Sequence, residues 1–284
     1  MNNSKFDLQE PAITKEEVLI VKDKYFDTKN VALVTGATSG LGKATAIALA
    51  VNGVTVVGSG TNEERGRNMT ELIGDMGGKA VFIKADLTSD DDIEKYVKEA
   101  SKYGQIKFLA NIAGIQHIDS VENFPMEAYD VMQKINLRAP LYLSKLCIPY
   151  MKASEDGIGV VGNMSSQLGH IATKLKPAYS MTKFGIRGLT QAIAAEGQGK
   201  IRSFSVSVGF CKTPIVLKQI PGQAKQRGVS EDELVMNIML SRSQVKDMMT
   251  PIEVANLFIV GFSKMGKYLM GADLLFDGGA VKTW

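Results

Sequence analysis

Three side chains near the middle of the chain have the types and spacing of an acid–base centre. Tyr179 and Lys183 are four residues apart, so on a helix they would lie on one face. An ammonium group close to a phenol favours the phenolate, which predicts a lowered tyrosine pKa and a general acid/base near neutral pH. Ser166 follows an apolar run, Ile158 to Val161, that predicts a buried strand. Its hydroxyl would then lie at the strand's carboxyl end, where open α/β sheets bind their ligands.

A Tyr-x-x-x-Lys pattern also arises by chance, so its value depends on the elements that would position it. Apolar runs alternate with helix-forming segments along the whole chain, which predicts an α/β protein with a doubly wound parallel sheet and helices on both faces. The predicted strands cover residues 31–34, 54–57, 80–83, 108–110, 158–161, 201–208 and 268–276. The main predicted helical stretches are 89–103, 126–151 with a short break at Pro140, 215–249, and one that begins at Pro251.

Composition limits the kind of protein that this can be. The chain has 284 residues, of which 45% are hydrophobic and 22% charged, and a formal charge of +3. This is a soluble globular composition, and without a dense Lys/Arg block neither nucleic acid nor a membrane surface is expected as a partner. No apolar window is long enough to span a bilayer, and two cysteines make no disulfide framework. We therefore expect a cytoplasmic protein without a metal site.

A glycine-rich stretch joins the first predicted strand to the first helix. It runs Thr35-Gly36-Ala37-Thr38-Ser39-Gly40-Leu41-Gly42. Glycines at this junction permit a tight turn and a close approach of the backbone to a phosphate, which the helix N-terminus would attract. A plain glycine turn is the alternative, but the position favours a dinucleotide cofactor. After the second strand, Glu63, Glu64 and Arg65 bring both charge signs together, so the sequence leaves NAD and NADP open.

These motifs together resemble the short-chain dehydrogenase/reductase family over roughly residues 28 to 280. The matching elements are the glycine stretch, Asp86, Asn111-x-Ala113-Gly114, Asn136, Ser166, Tyr179-x-x-x-Lys183 and Asp277-Gly278-Gly279. The resemblance implies a catalytic tetrad of Asn136, Ser166, Tyr179 and Lys183. Tyr179 would exchange the proton with the substrate oxygen that Ser166 holds, Lys183 would lower the tyrosine pKa and bind the nicotinamide ribose, and Asn136 would position a water. Ser165 is the less favoured choice for the serine.

The resemblance also implies the cofactor, the domain organisation and the assembly. The cofactor would be NAD, with NADP not excluded, and the hydride would belong to it rather than to the protein. Residues 1–29 would be an N-terminal extension, and 30–284 a single Rossmann-type domain with a helical substrate lid at about 214–249. A homotetramer is expected. The implied cofactor contacts are Gly36, Thr38, Ser39, Gly40, Leu41, Gly42, Asp86, Leu87, Asn111, Ala113, Gly114, Tyr179, Lys183, Gly209 and Thr213.

Within the family, the stretches 113–125 and 213–230 are most similar to the D-3-hydroxybutyrate dehydrogenases. That similarity implies substrate contacts by Ser166, Tyr179 and Phe210 and a carboxylate clamp, in which a lysine and two amide donors would hold a small acid. The clamp residues would be Gln116, Lys176 and Gln219. For Lys176, a solvated loop residue is an equally good reading.

Three positions depart from the family pattern. Leu168 stands where a histidine is expected, Phe210 replaces a tryptophan and Val208 a proline, while a histidine occurs two residues later, at position 170. The sequence leaves open whether that His170 substitutes for the missing one. Loss of a polar donor predicts a less polar pocket, suited to a longer or more apolar 3-hydroxy or 3-oxo acid.

Three functions are therefore weighed. The preferred one is an NAD(P)-dependent oxidoreductase that interconverts a secondary alcohol and a ketone on a 3-hydroxy acid such as 3-hydroxybutyrate. A 3-oxoacyl carrier-protein reductase or a polyol dehydrogenase would use the same scaffold. A nucleotide-binding protein without turnover is disfavoured, because it would have no physical need for both Tyr179 and Lys183.

Overall fold

A single parallel sheet of seven strands forms the centre of the molecule. The computed structural model describes residues 7–282. The strands run in the order β3-β2-β1-β4-β5-β6-β7, so the chain reverses its winding direction between β1 and β4. This confirms the predicted doubly wound α/β fold. The strands are β1 Asn30–Val34, β2 Thr55–Gly60, β3 Lys79–Lys84, β4 Gln105–Asn111, β5 Gly159–Met164, β6 Ile201–Val208 and β7 Ala272–Phe276.

Helices cover both faces of the sheet because each face is apolar. The helices are α1 Gly40–Val51, α2 Glu63–Asp75, α3 Asp90–Ala100, α4 Met126–Gln133, α5 Ala139–Lys152, α6 Pro177–Glu196, α7 Pro214–Leu217, α8 Ile220–Arg227, α9 Glu231–Glu233 and α10 Pro251–Phe262. One buried cluster joins α1, α2 and α10 to the sheet, and a second joins α3, α5 and α6 to its other face. A third, smaller cluster lies under residues 214–249. Because these helices pack on the two faces of the sheet, they leave the carboxyl ends of the strands uncovered at one edge.

The helical prediction for 126–151 is right in extent but wrong about the break. Pro140 lies in the first turn of α5, where its missing N–H is not needed. The irregular part comes earlier, as a π-helical turn at Lys134–Arg138 between α4 and α5. Such single π turns occur frequently at functional sites, and this one contains Asn136.

Two other boundaries differ from the sequence-based prediction. The last strand begins at Ala272 rather than at 268, because Gly271 adopts a φ of +72° that interrupts the extended chain. Residues 240–249 are not helical. There the hydroxyl of Ser243 donates to the carbonyl of Val245, at 2.7 Å, which competes with helical hydrogen bonding.

The described part of the N-terminal extension lies along α1 and α10. Asn52 accepts from the N–H of Val21, at 2.8 Å, and donates to the carbonyl of Leu19, at 2.9 Å. Asn256 accepts from the N–H of Leu19, at 2.8 Å. Val18 is buried in the core cluster on this face. Two asparagine side chains thus supply the backbone partners that an unpaired extended segment would otherwise lack.

Candidate active site

A cavity of about 590 Å³ opens at the carboxyl edge of the sheet. Ser166, Tyr179 and Lys183 all line it, although they come from different elements. Ser166 lies just after β5, and the other two lie in the first two turns of α6. The predicted helix and strand are therefore both present, and they bring the three side chains to one site.

Ser166 and Tyr179 are hydrogen-bonded partners within this cavity. Ser166 begins the short turn Gln167–Gly169, and its hydroxyl accepts from the N–H of Leu168, at 3.1 Å. Burial of the phenol raises the pKa of Tyr179 to about 12, and the hydrogen bond with Ser166 opposes that rise. In the protein without its ligands, Tyr179 is therefore a protonated phenol at neutral pH and can donate a proton.

Lys183 lies beside the tyrosine but does not lower its pKa as the spacing predicts. The Nζ atom donates to the carbonyl of Met164, at 2.8 Å, and lies 5.4 Å from the Tyr179 ring centroid. Burial lowers the pKa of Lys183 to about 8, so the lysine still carries its charge at neutral pH. The pKa of Tyr179 is nevertheless raised in the protein without its cofactor, opposite to the predicted direction, because of burial of the phenol.

Asn136 positions a loop rather than lining the cavity. Its Oδ1 accepts from the N–H of Ile115, at 2.9 Å, and its Nδ2 donates to the carbonyl of the same residue, at 2.8 Å. The Nδ2 also lies 3.3 Å from the hydroxyl of Thr182 in α6. The π turn therefore ties the loop after β4 to the helix that carries Tyr179 and Lys183.

The glycine stretch between β1 and α1 fits a dinucleotide phosphate. Gly36 and Gly40 have φ angles of +66° and +50°, which other residues rarely adopt. A Cβ atom on Gly42 would lie 2.1 Å from the carbonyl oxygen of Gly36, so only glycine permits this tight approach. The N-terminus of α1 consequently carries no side chain at positions 40 and 42, which permits the close approach that a phosphate site requires.

The loops after β1 and β4 are joined by Thr35. Its hydroxyl accepts from the N–H groups of Ile112 and Ala113, at 2.9 and 3.1 Å. A Cβ on Gly36 would lie 3.0 Å from the Cα of Ala113, so the two loops touch. The predicted cofactor residues of both loops are thus neighbours in space.

The other predicted cofactor residues divide into two groups. Leu41, Gly114, Gly209 and Thr213 line the cavity with the catalytic candidates. Asp86 is exposed at the end of β3 and accepts from the N–H and the hydroxyl of Thr88, both at 2.8 Å. The Asn111 side chain is buried, where it donates to Asn163 on β5, at 2.8 Å. The predicted residues outside the cavity lining are Gly36, Thr38, Ser39, Gly40, Gly42, Asp86, Leu87, Asn111 and Ala113.

The segment after β2 carries no dominant charge. Asn62 caps α2 by accepting from the N–H of Arg65, at 2.9 Å. Glu63 forms an exposed ion pair with Lys84, at 3.2 Å. Because Glu63, Glu64 and Arg65 bring both charge signs to this strand end, their charges do not distinguish NAD from NADP.

The three predicted clamp residues line one wall of the cavity together with Phe210. Gln116 Nε2 lies 3.3 Å from Gln219 Oε1, and Gln223 Nε2 donates to the same oxygen, at 2.9 Å. Burial lowers the pKa of Lys176. Gln223 was not predicted, although its i,i+4 spacing from Gln219 on a helix was a usable signal.

The charge of the cavity lining is one-sided. Among the described residues, no Asp or Glu lines it, while five cations do: Lys174, Lys176, Lys183, Arg227 and Arg242. Neither arginine has an ion-pair partner within residues 7–282. The sequence did not single out these arginines, because only the fold of 214–249 brings them to the cavity.

A doubly wound parallel sheet with a glycine turn after β1 and a Ser-Tyr-Lys constellation at its carboxyl edge defines a class of nicotinamide-dependent oxidoreductases. The model of the short chain dehydrogenase family matches residues 30–224. The chain belongs to this family. It is an NAD(P)-binding oxidoreductase that acts on a CH–OH group.

The chain is similar to relatives with different names. The chain is 33% identical to a D-beta-hydroxybutyrate dehydrogenase of Rhizobium meliloti, over 87% of this chain and 97% of that protein. It is 30% identical to a 3-oxoacyl-[acyl-carrier-protein] reductase of Thermotoga maritima, over 88% and 97%. A solved structure of an actinorhodin polyketide ketoreductase variant with NADPH is similar with a TM-score of 0.84 and 26% identity, covering 89% of this chain and 98% of that one.

Two structural features are absent from residues 7–282. None of the helices there combines the length and the apolar character that crossing a bilayer requires. No group of three or more His, Cys, Asp and Glu side chains is arranged there to hold a metal ion.

Proposed function

We propose that this protein interconverts a small 3-hydroxy acid and the corresponding 3-oxo acid, with NAD as the favoured cofactor and NADP as the alternative. The observation that carries the proposal is the cavity that residues 7–282 line with five cations and with no acidic side chain. An anionic substrate is attracted to such a site, whereas a neutral polyol gains nothing from it. The similarity to a D-beta-hydroxybutyrate dehydrogenase supports the same substrate class.

In this proposal Tyr179 is the general acid/base. For reduction it donates its proton to the ketone oxygen, and for oxidation it accepts the proton of the alcohol. Ser166, its hydrogen-bonded neighbour, holds the substrate oxygen. The bound dinucleotide supplies the hydride chemistry.

Lys183 and Asn136 complete the proposed tetrad in supporting roles. The ammonium group of Lys183 faces the space beside Gly114, where a Cβ would lie 3.8 Å from Nζ, and would bind the ribose there. Asn136 fixes the loop of Gly114 through both hydrogen bonds to Ile115. A water relay through Asn136 remains a prediction.

The carboxylate clamp is the part of the site that selects the substrate. Lys176 contributes a charge, and Gln116 keeps one amide N–H beyond its contact with Gln219. Leu168 and Ile171 add apolar wall to the same cavity, which favours an acid with some hydrocarbon.

A steady-state screen tests the substrate and the cofactor together. Purified protein is supplied with D-3-hydroxybutyrate and with longer 3-hydroxy acids, each with NAD and with NADP, and reduced nicotinamide is followed by absorbance. We expect NAD-dependent turnover of at least one acid. Turnover of neutral alcohols alone would refute the clamp while leaving the oxidoreductase class intact.

A second candidate is a 3-oxoacyl carrier-protein reductase. The exposed arginines Arg227 and Arg242 favour it, because they could contact a phosphorylated carrier outside the reacting centre. This function requires faster reduction of 3-oxoacyl thioesters than of free 3-oxo acids, which the same assay measures with NADPH.

The proposed location and assembly follow the family resemblance. A cytoplasmic homotetramer is the expected form, and light scattering of the purified protein measures its mass directly.

A further inference from the structure

The N-terminal extension places a carboxylate on the turn that would receive the cofactor's phosphates. Glu10 Oε1 accepts a hydrogen bond from the backbone N of Gly40, at 3.0 Å. Gly40 is the first residue of α1, so its N–H has no partner within the helix. In this fold the pyrophosphate of a dinucleotide binds at that end of the first helix. Glu10 and a pyrophosphate oxygen therefore need the same donor.

The chain is anchored on both sides of Glu10. Leu8 packs against the apolar cluster under residues 214–249. Ile13 packs against the core cluster of α1 and α10, and Lys15 Nζ donates to the carbonyl of Met76, at 2.9 Å. Leu8 and Ile13 are five residues apart, which limits the chain between them to a span of about 18 Å. Glu10 is thus confined to the space between the helical segment 214–249 and the start of α1.

The carboxylate of Glu10 is bonded to the N-terminal end of α1 rather than to a basic side chain. Among the described residues, no Lys, Arg or His forms an ion pair with it. Burial raises the pKa of the Cys211 thiol, and the carboxylates of Glu253 and Glu10 raise it further, so the negative charge of Glu10 is felt at a residue of the cavity lining. A pyrophosphate brought to the same place would find the N–H of Gly40 already bonded to Glu10. It would also be repelled by the negative charge of the Glu10 carboxylate.

We propose that Glu10 is a built-in competitor of the cofactor and that it sets the apparent affinity of this enzyme for the dinucleotide. Its carboxylate occupies the phosphate position on α1 in the absence of cofactor and leaves it when the dinucleotide binds. Only molecules in which Glu10 has released the N–H of Gly40 can bind the dinucleotide. The apparent affinity for the dinucleotide is therefore lower than it would be without Glu10. The inference depends on the family's cofactor site and not on the identity of the substrate.

Ligands that differ in their phosphates give the sharpest test. The variants are Glu10→Ala and, as a matched control in the same extension, Glu16→Ala, whose side chain is exposed. Isothermal titration measures the Kd of ADP-ribose, which carries the pyrophosphate, and of adenosine, which does not. A carboxylate at a helix N-terminus contributes enough to predict about three- to fivefold tighter ADP-ribose binding in Glu10→Ala. The Kd of adenosine, and all Kd values in Glu16→Ala, should stay within about twofold of the wild type.

Hydrogen exchange of the wild-type protein provides an independent readout. Saturating NADH should accelerate amide exchange in residues 7–14, because the cofactor releases this segment from α1. Unchanged or weaker ADP-ribose binding in Glu10→Ala would overturn the proposal. So would slower exchange of the segment with NADH, since Glu10 would then support the cofactor instead of competing with it.

Discussion

The Nε2 atom of His170 lies 2.7 Å from the Oδ2 atom of Asp273, and both side chains are largely buried. His170 is therefore paired with β7 and is not among the described residues that line the cavity. Leu168 lines the cavity instead, on the wall where the family resemblance predicts a histidine. His170 therefore does not take the place of the substrate-binding histidine that the family pattern has at position 168. It ties the loop that follows Ser166 to the sheet.

Asp273 is the centre of this anchoring network, so its removal should lower turnover without weakening cofactor binding. Its other oxygen accepts from the hydroxyl of Ser207, at 2.9 Å, and from Ser205. In Asp273→Asn, we expect kcat to fall about tenfold through misplacement of the Ser166 loop. The Kd of NADH should be unchanged. Asp90→Asn, which removes an exposed ion pair with Arg138, is the control. Equal kcat in the Asp273 variant and the control would refute the positioning role.

Tyr179→Phe removes the proposed acid/base while keeping the ring. We expect kcat to fall by about 10²- to 10⁴-fold, because positioned proton transfer contributes this much. The Kd of NADH should change by less than about twofold. Tyr150→Phe, at an exposed position on α5, should retain wild-type turnover. A Tyr179→Phe enzyme with most of its activity would show that another group moves the proton.

Lys176→Ala tests the carboxylate clamp. A charge-assisted hydrogen bond of about 1.5–3 kcal/mol predicts a KM for the acid that rises roughly 10- to 100-fold, with kcat nearly constant. Lys218→Ala is the matched control, since Lys218 is exposed and lies outside the cavity lining. If both variants raise KM equally, the effect comes from the general field of positive charge and not from a clamp.

The contribution of Lys183 to stability without cofactor should rise with pH. Burial lowers its pKa in the folded protein to about 8, from 10.5. Between these values Lys183 binds more protons in the unfolded chain than in the folded one, so its contribution to the free energy of unfolding increases with pH. From pH 7 to 9.5 the contribution of Lys183 should increase by about 2 kcal/mol, seen as the difference between the wild type and Lys183→Met. The difference is needed because ionisation of the buried thiols of Cys147 and Cys211 on unfolding opposes the increase in both proteins. Urea unfolding measures it, and Lys183→Met should lose it. The same pH dependence in both proteins would assign it to another group.

The sequence predicted the order of elements well because each strand here contains a short apolar run or an apolar–polar alternation between helix-forming segments. The bounds of β6, Ile201–Val208, are those predicted. The catalytic candidates Ser166, Tyr179 and Lys183 also meet in one cavity, since local spacing and the strand end determine their positions. These features depend on short-range patterns, which a sequence carries explicitly.

Other features depend on tertiary contacts and could not be predicted. The raised pKa of Tyr179 follows from burial that only the assembled cavity creates. The π turn around Asn136 replaces a helix break predicted at Pro140, because proline is tolerated in a first helical turn. The contact of Glu10 with Gly40 joins residues thirty positions apart, and no local pattern in the extension indicates it.

The central claim is that the substrate is recognised through its carboxylate, and a comparison of an acid with its ester tests it most directly. The kcat/KM of the wild-type enzyme is measured for D-3-hydroxybutyrate and for its methyl ester, with saturating cofactor. Loss of the charge-assisted contacts predicts a kcat/KM at least about 10-fold lower for the ester, with the difference shrinking in Lys176→Ala. Equal values for acid and ester in the wild type would contradict the clamp and favour a substrate without a free carboxylate.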